Sequence, residues 1–574
     1  MGSPLHISGS ASTRYYPNAS STELKALCSI AESFPHPQRA IMSSFIQRAT
    51  DQDIASQYFL AQVSAQDPVT VFNRWISILR ETRPILCSDS DLPFLRHVQL
   101  RDAARCCISN AQDEEGHDSK LLLVYILSPQ FLLNIDVVEN RPLREMLIAF
   151  IGEANVQKLC TLVGQTNINS KSSQVLLLSP QMFDHFRHGR VSLQSGLLSD
   201  LEGQVRYLIS CNIRIPGLPV DTESSADFMN HNPNVTSLPD PDLLETHHRF
   251  ADALAWLDAS EYMAEKIHLP KASESQTARS SKQLFPISTW LCSSMNRLFH
   301  RLWVSLPGVV RAFTYKCLAS IGSMLYGHTG SDRTYRLPFN LYLRVGQMNW
   351  ASKHQAEMRS LQLVEKYTEI PAPRGIDVVH YGASSFLLMS RCPGQRIGLM
   401  FSTMTDENVH SVEEELRRYI SQLRRIPNQT RSKYQICNAL GGGIQDWRIG
   451  DSQREELKFL DEPEFNRYLT HDLPPLTEND LSTISKAHNK SHSIFFTHAD
   501  LNLLNVLVDD NGRISGIVDW ECAGWYPEYW EYTKAHFTVR YTIRWIADVI
   551  DRLFPNYQDE LQAENLLTSL TPPW

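Results

Sequence analysis

Positive charge is in deficit in this chain. Its 574 residues carry 54 Lys and Arg against 63 Asp and Glu, a formal net charge of −9. Such a balance gives no electrostatic footprint for a nucleic-acid backbone. Cysteines number 11, an odd count without a single CxxC pair, so neither a zinc ribbon nor an even disulfide framework is expected. No charged segment followed by an apolar core opens the sequence. The expectation is a cytoplasmic protein with reduced thiols.

Long apolar runs are missing as well. The most apolar stretch, 302–326 (LWVSLPGVVRAFTYKCLASIGSMLY), is interrupted by Pro307, Arg311 and Lys316 and falls short of a clean spanning helix. No transmembrane segment is expected. Val309, Phe313, Cys317 and Ile321 recur every four residues. That spacing predicts an amphipathic helix laying this stripe on the domain behind it. A helix lying on a membrane surface is the second reading.

What is present fits a soluble globular chain, with 42% hydrophobic and 20% charged residues, too long for one ordinary core. The segments LKALCSIAESF, AIMSSFIQRA and VTVFNRWISILRE predict helices within 20–85, divided by proline and polar breaks. Two stretches rich in Ser, Pro and Asn, 219–241 and 270–284, read as linkers between a front half and a back half. From Tyr335 the pattern becomes short strands, with alternation at Leu341, Leu343 and Val345. A helix-period run, KHQAEMRSLQLVEKY, follows, with Met358, Leu361 and Val364 on one face. Residues 410–424 predict a second amphipathic helix with Val412, Leu416, Ile420 and Leu423 inward.

The chemistry concentrates in 494–532, IFFTHADLNLLNVLVDDNGRISGIVDWECAGWYPEYWEY. Asp500, Asn505 and Asp519 sit between apolar strands, so their side chains project from adjacent loop ends. Phosphoryl transfer from a nucleotide needs one carboxylate near the attacking hydroxyl and oxygen ligands for Mg²⁺. These three supply those types in that order. A polar loop in a β-hairpin is the plainer alternative.

This segment resembles the aminoglycoside phosphotransferase and choline kinase family, most closely its fungal branch, over about Tyr335 to Ala535. Ala499 stands where that family usually has Gly. The resemblance implies Asp500 as the catalytic base, and Asn505 and Asp519 as Mg²⁺ ligands. It further implies a strand cation, here Arg344 where the fungal branch usually has Lys, oriented by Glu357 on the following helix. FLLMSRCPGQRI (386–397) resembles the hinge between two lobes, where adenine would bond the backbone near Ser390 and Cys392. His498 reads as a brace for the loop. Glu528 and Glu531 resemble acidic residues that brace it or line the substrate mouth, and Trp520, Trp525, Tyr526 and Trp530 read as packing. No GxGxxG precedes the strand cation; the nearest candidate is YGHTGSDRTY at 326–335. Nothing resembles the activation segment of protein kinases, which disfavours protein substrates.

In the front half, LRDAARCCISN (100–110), LLLVYILSP (121–129) and SSQVLLLSPQMFDHFRHGRVSL (172–193) are similar to a fungal His-Asn-His nuclease-like domain. That chemistry needs a His to activate water and a His and an Asn to hold a metal. The three positions hold Tyr125, Gln174 and Phe183, with His185 and His188 shortly after. The implied domain is degenerate, structural or an interaction platform.

The expected fold is α/β (α+β): a bilobal protein-kinase-like phosphotransferase preceded by a separate mixed α/β domain. Its divisions are a helical region (1–85), a degenerate nuclease-like domain (86–218), a helical segment with flexible linkers (219–285) and the phosphotransferase-like domain (286–574). The expected activity is ATP-dependent transfer to a hydroxyl of a small molecule, with Mg²⁺; GTP stays open as donor. A non-catalytic nucleotide-binding scaffold and a His-Asn-His nuclease are the alternatives. The expected partners are a nucleotide and a small-molecule substrate, with no nucleic acid.

Overall fold

The computed structural model describes residues 18–88, 92–111, 121–165, 167–201, 204–212, 224–268, 302–327, 333–538 and 543–571. The linker at 270–284, the start of that at 219–241 and the centre of the 326–335 turn lie outside these residues. The chain divides into two units, Met1–Pro270 and Lys271–Trp574.

The first unit opens with four helices, α1 (Ser21–Ser33), α2 (Gln38–Gln47), α3 (Gln52–Ala65) and α4 (Pro68–Thr82). Ser20, Asp51 and Asp67 cap α1, α3 and α4 by accepting from Glu23, Ile54 and Val69 backbone N–H groups. The predicted helices omitted α3, whose buried side Ala55, Ser56 and Phe59 is too short and mixed to show a clear period. Trp75 of α4 packs at 5.1 Å from Phe45 and 4.8 Å from Phe150 of α5 (Arg141–Ile151). Behind them β1 (Ile85–Leu86), β2 (Leu122–Tyr125) and β3 (Val175–Leu178) form an antiparallel sheet. After α6 (Pro180–Arg187), a second antiparallel sheet follows from β4 (Val191–Leu201), β5 (Gln204–Cys211) and β6 (Ser225–Met229). Helix α7 (Pro241–His268) sends Leu244, Phe250 and Leu254 into the same core as α1–α4. Residues predicted as three divisions (1–85, 86–218, 219–285) therefore share one hydrophobic core up to α7.

In the second unit an antiparallel sheet runs in the order β7 (Thr334–Leu337), β8 (Leu341–Gln347), β10 (Ser384–Ser390), β9 (Gly375–Tyr381). Helix α9 (Ala351–Tyr367) crosses between β8 and β9 and buries Glu357, Leu361 and Val364. The preceding helix, α8 (Gly308–Tyr326), packs on this sheet through Ala312 and Tyr315, with Leu337, Leu343, Val379 and Phe386. Here the structure corrects the sequence expectation: Val309, Phe313, Cys317 and Ile321 are exposed. Ala312, Tyr315 and Gly322 set the inner face instead. A Cβ on Gly322 would lie 2.3 Å from the Arg336 carbonyl, so only glycine allows that approach. Tyr315 Oη completes the seat with a 2.7 Å bond to buried Asp377.

Beyond β10 the chain enters a mainly helical region built on α10 (Asp406–Leu423), α11 (Glu462–Leu469), α12 (Glu478–His488), α13 (Trp530–Thr538) and α14 (Gln558–Leu570). Val412, Leu416 and Leu423 of α10 are buried as the heptad-like spacing predicts, while Ile420 is half-buried. Two small sheets hold the polar loops: β11 (Gln395–Arg396) with β14 (Val506–Val508) and β15 (Ile514–Ile517), and β12 (Cys437–Asn438) with β16 (Gly524–Pro527) and β13 (Ile494–Thr497). Among the described residues no single helix is long and apolar enough to cross a membrane.

Candidate active site

The loop from β13 to β14 carries His498, Asp500 and Asn505, and the turn after β15 carries Asp519. Pairing of β14 with β15 brings the two loops together, and Val518 N–H donates to Asn505 O at 2.9 Å. His498 clips them. Its Nδ1 accepts from Asp500 N–H at 3.2 Å, and its Nε2 lies 3.0 Å from Val518 O. Neutral imidazole with the proton on Nε2 satisfies both bonds, and burial pushes the pKa down to about 4. This is a brace, packed edge-on against Trp520 at 4.6 Å.

Ala499 adopts φ 62°, the left-handed region that its Cβ disfavours. Buried Glu531, at the start of α13, holds this turn: its Oε2 accepts from the N–H groups of His498 at 2.7 Å and Ala499 at 3.3 Å. Burial pushes Glu531 up to about 7, with those amides pulling the other way. Glu528 serves differently, through backbone bonds to Ser493 and Arg424.

Asp500 is fixed from both sides. Asn505 Nδ2 donates to its Oδ2 at 2.8 Å, and Asn502 Nδ2 to its Oδ1 at 3.1 Å. Burial raises its pKa to about 7, against the pull of Lys534. Lys534 Nζ bonds Asp446 Oδ1 at 2.7 Å, and Trp530 Nε1 bonds Asp446 Oδ2 at 2.8 Å. Asp446 and Lys534 were not anticipated from the sequence. They lie 54 and 34 residues from Asp500, on either side of it, so no local spacing signals them.

Asp519 also sits in the left-handed region, at φ 68° and ψ 60°, which Asp tolerates better than most residues. Arg344, on β8, bonds three carboxylates. Its Nη2 donates to Asp519 Oδ1, and its Nη1 reaches Glu357 Oε2 at 3.0 Å and Glu521 Oε2 at 2.9 Å. Burial opposes the guanidinium charge, yet Asp519, Glu357 and Glu521 hold its pKa well above the ordinary value. Burial pushes Glu357 up to about 8, against Arg344. Asp519 moves the other way: Arg344 overcomes burial and holds it below the usual carboxylate range. Glu521 was missed from sequence, although it stands two residues after Asp519 in the DWE run.

Ser390 ends β10, where its N–H donates to Arg374 O at 3.0 Å and its Oγ accepts from Arg374 N–H at 2.8 Å. Cys392 is buried against Gly516 of β15, and burial raises its thiol to about 11. Trp520, Trp525, Tyr526 and Trp530 are all buried.

A sheet with one crossing helix, its cation paired to that helix, joined to a helical region whose loops offer Asp, Asn and Asp, is the protein-kinase-like phosphotransferase arrangement. Residues 328–563, all within the second unit, match the phosphotransferase enzyme family. No curated protein matches the chain significantly. Among solved structures, the chain is similar to an aminoglycoside phosphotransferase of Streptomyces rimosus in complex with ADP and streptomycin, at 16% identity over 44% of this chain and 98% of that one, TM-score 0.28. A putative fructosamine-3-kinase of Haemophilus somnus is similar at 12% identity over 45% and 88% respectively, TM-score 0.30. A macrolide 2'-phosphotransferase of Brachybacterium faecium follows at 13% identity over 43% and 91%, TM-score 0.27.

Proposed function

We propose that the second unit transfers the γ-phosphoryl group of ATP to a hydroxyl of a small molecule. The observation that carries this reading is the fixed Asp500, bonded at 2.8 Å by Asn505 and titrating near 7, which suits a general base at neutral pH. In the step, Asp500 takes the proton of the acceptor hydroxyl as its oxygen bonds the γ-phosphorus. The bond from that phosphorus to the bridging oxygen breaks, and ADP leaves. Asn505 spends its amide N–H groups on Asp500, which leaves its Oδ1 as the atom that would meet a hard cation. Asp519 keeps Oδ2 free of Arg344. This oxygen pair suits Mg²⁺, which would supply charge neutralisation on the phosphates. Arg344 and Glu357 would border the phosphates, and the backbone at Ser390–Cys392 would meet the base.

A small acceptor is favoured by the chain after Asp519. One 3-10 turn leads straight into β16, which leaves no room for a peptide-binding activation segment.

One observation favours a non-catalytic nucleotide-binding scaffold instead: Arg344 bonds the proposed metal ligand Asp519 directly. Asp500→Asn separates the two. Turnover, read as ADP formed with a panel of amino-sugar and polyol acceptors, should fall roughly 10²–10⁴-fold, with Mg·ATP affinity within a few-fold. Equal ADP formation by both proteins would end the catalytic assignment.

A further inference from the structure

Between α9 and the loops that follow α10 and β12 lies a cavity of about 160 Å³. Its apolar walls are Leu363, Ala439, Leu440 and the ring of Trp525, and its polar lining is Arg359, Gln429 and Thr430. Two donors on this lining are without acceptors. Trp525 is 3% exposed, and its Nε1 is buried with no hydrogen-bond partner. The half-buried Arg359 makes no ion pair or hydrogen bond among the described residues. A buried N–H left unpaired is costly, and an unpaired guanidinium on a cavity wall attracts an anion.

The chemistry of the lining defines the ligand. Gln429 Nε2 donates to Tyr367 Oη at 2.9 Å and Thr430 Oγ1 to Asn428 Oδ1 at 2.8 Å, so Arg359 and Trp525 remain to receive it. No carboxylate lines the cavity, so a cationic ligand would find no counter-charge. A guanidinium holds a carboxylate through two parallel bonds, and the apolar walls accept a short hydrocarbon body. Phosphate carries more acceptor oxygens than these two side chains can satisfy, and would be left partly desolvated and unpaired. We propose that this cavity binds a small organic carboxylate, with Arg359 and Trp525 Nε1 donating to its oxygens and its hydrocarbon part against Leu363 and Ala439.

The loop walls are braced by the protein itself. Ser432 Oγ donates to Gly441 O at 3.4 Å and Ser432 N–H to Thr430 Oγ1 at 3.3 Å, while a Cβ on Gly441 would lie 2.9 Å from Ser432 Cβ. The two loops are thus seated closely on each other. Arg359 stands two residues after Glu357 on α9, which turns the two side chains to nearly opposite sides of the helix. The carboxylate site is therefore distinct from the Arg344 cluster, yet its ligand would tie the same helix to β16.

The test is isothermal titration of the full chain with sodium propionate, sodium benzoate and inorganic phosphate at fixed ionic strength. At least one carboxylate should bind at a single site, more tightly than phosphate. Arg359→Gln should weaken that binding about tenfold or more, and Trp525→Phe, which keeps an aromatic ring but removes the N–H, about fivefold or more. Arg359 has no partner to lose, so thermal unfolding of Arg359→Gln without ligand should match the wild type. No binding of either carboxylate up to about 10 mM would overturn the proposal. So would an affinity that Arg359→Gln leaves unchanged, which would place the site elsewhere. Phosphate binding more tightly than both carboxylates would overturn the ligand class.

Discussion

Arg344 bonds Asp519 through Nη2 while its Nη1 lies 3.0 Å from Glu357 and 2.9 Å from Glu521. A guanidinium can divide itself among three carboxylates because its donors point along fixed, separate directions; an ammonium is a point charge. The arrangement ties β8, α9 and the turn after β15 together, so the cation holds structure as well as charge.

Arg344→Met should therefore destabilise the second unit by about 1–3 kcal/mol, because it leaves the buried side chain of Glu357 without the donor it accepts from. Denaturant unfolding measures this. Adding Glu357→Leu should recover part of the loss, since the unpaired buried polar group is then gone. A cycle in which the two changes simply add would show that the pair is not coupled.

Asp500 titrates near 7 because burial outweighs Lys534. The pH profile of kcat/KM should rise through this region, since a base works only when deprotonated. Lys534→Met removes the cation that favours the carboxylate, so the acid limb should move to higher pH. Each unit of that movement lowers the rate about tenfold below the limb. The other charges facing Asp500, Asp519 and Asp446, push the same way. An unmoved limb would show that another group sets the profile.

Ala499 sets two effects against each other. Replacing it with Gly relieves the left-handed backbone at φ 62°, worth about 1–2 kcal/mol. It also removes a fully buried methyl, a loss of about 0.8 kcal/mol, and loosens the unfolded chain. Stability of Ala499→Gly should thus stay within about 1 kcal/mol of wild type, whereas Ala499→Val, β-branched in the same backbone, should cost more than about 2 kcal/mol. Thermal unfolding with the order reversed would contradict the strain.

The Asp500, Asn505 and Asp519 set was legible because it lies in one short run between strands that pair locally, β14 with β15. Arg344 and Glu357 were legible from one strand and the next helix. Asp446 and Lys534 were not, because only packing of Trp530 and α13 brings them to Asp500. The face of α8 was misread for a different reason. With apolar residues on both sides, periodicity has no contrast, and the choice fell to Gly322 and Ala312, which carry little hydrophobic signal. Helix α3 went unseen because its burial rests on Ala55, Ser56 and Phe59 alone.

The last prediction is that the first unit does not cleave DNA with a metal. In β2, Tyr125 pairs with Val175 and is buried, and an ordinary phenol holds its proton up to about pH 10. Gln174 spends its Nε2 on Leu162 O at 2.9 Å. Phe183 lies beneath the Arg187 guanidinium at 5.9 Å and offers no ligand. The nearby histidines are poorly placed to substitute. His185 is buried, with Nδ1 3.5 Å from Arg190 Nη1, and a cation so close repels a divalent ion. His188 Nδ1 lies 2.9 Å from Asp184 O on its own helix. The full chain incubated with plasmid and Mg²⁺ or Mn²⁺ should leave the DNA intact. Cleavage abolished by His185→Ala/His188→Ala would instead make these histidines catalytic, and the first unit an enzyme in its own right.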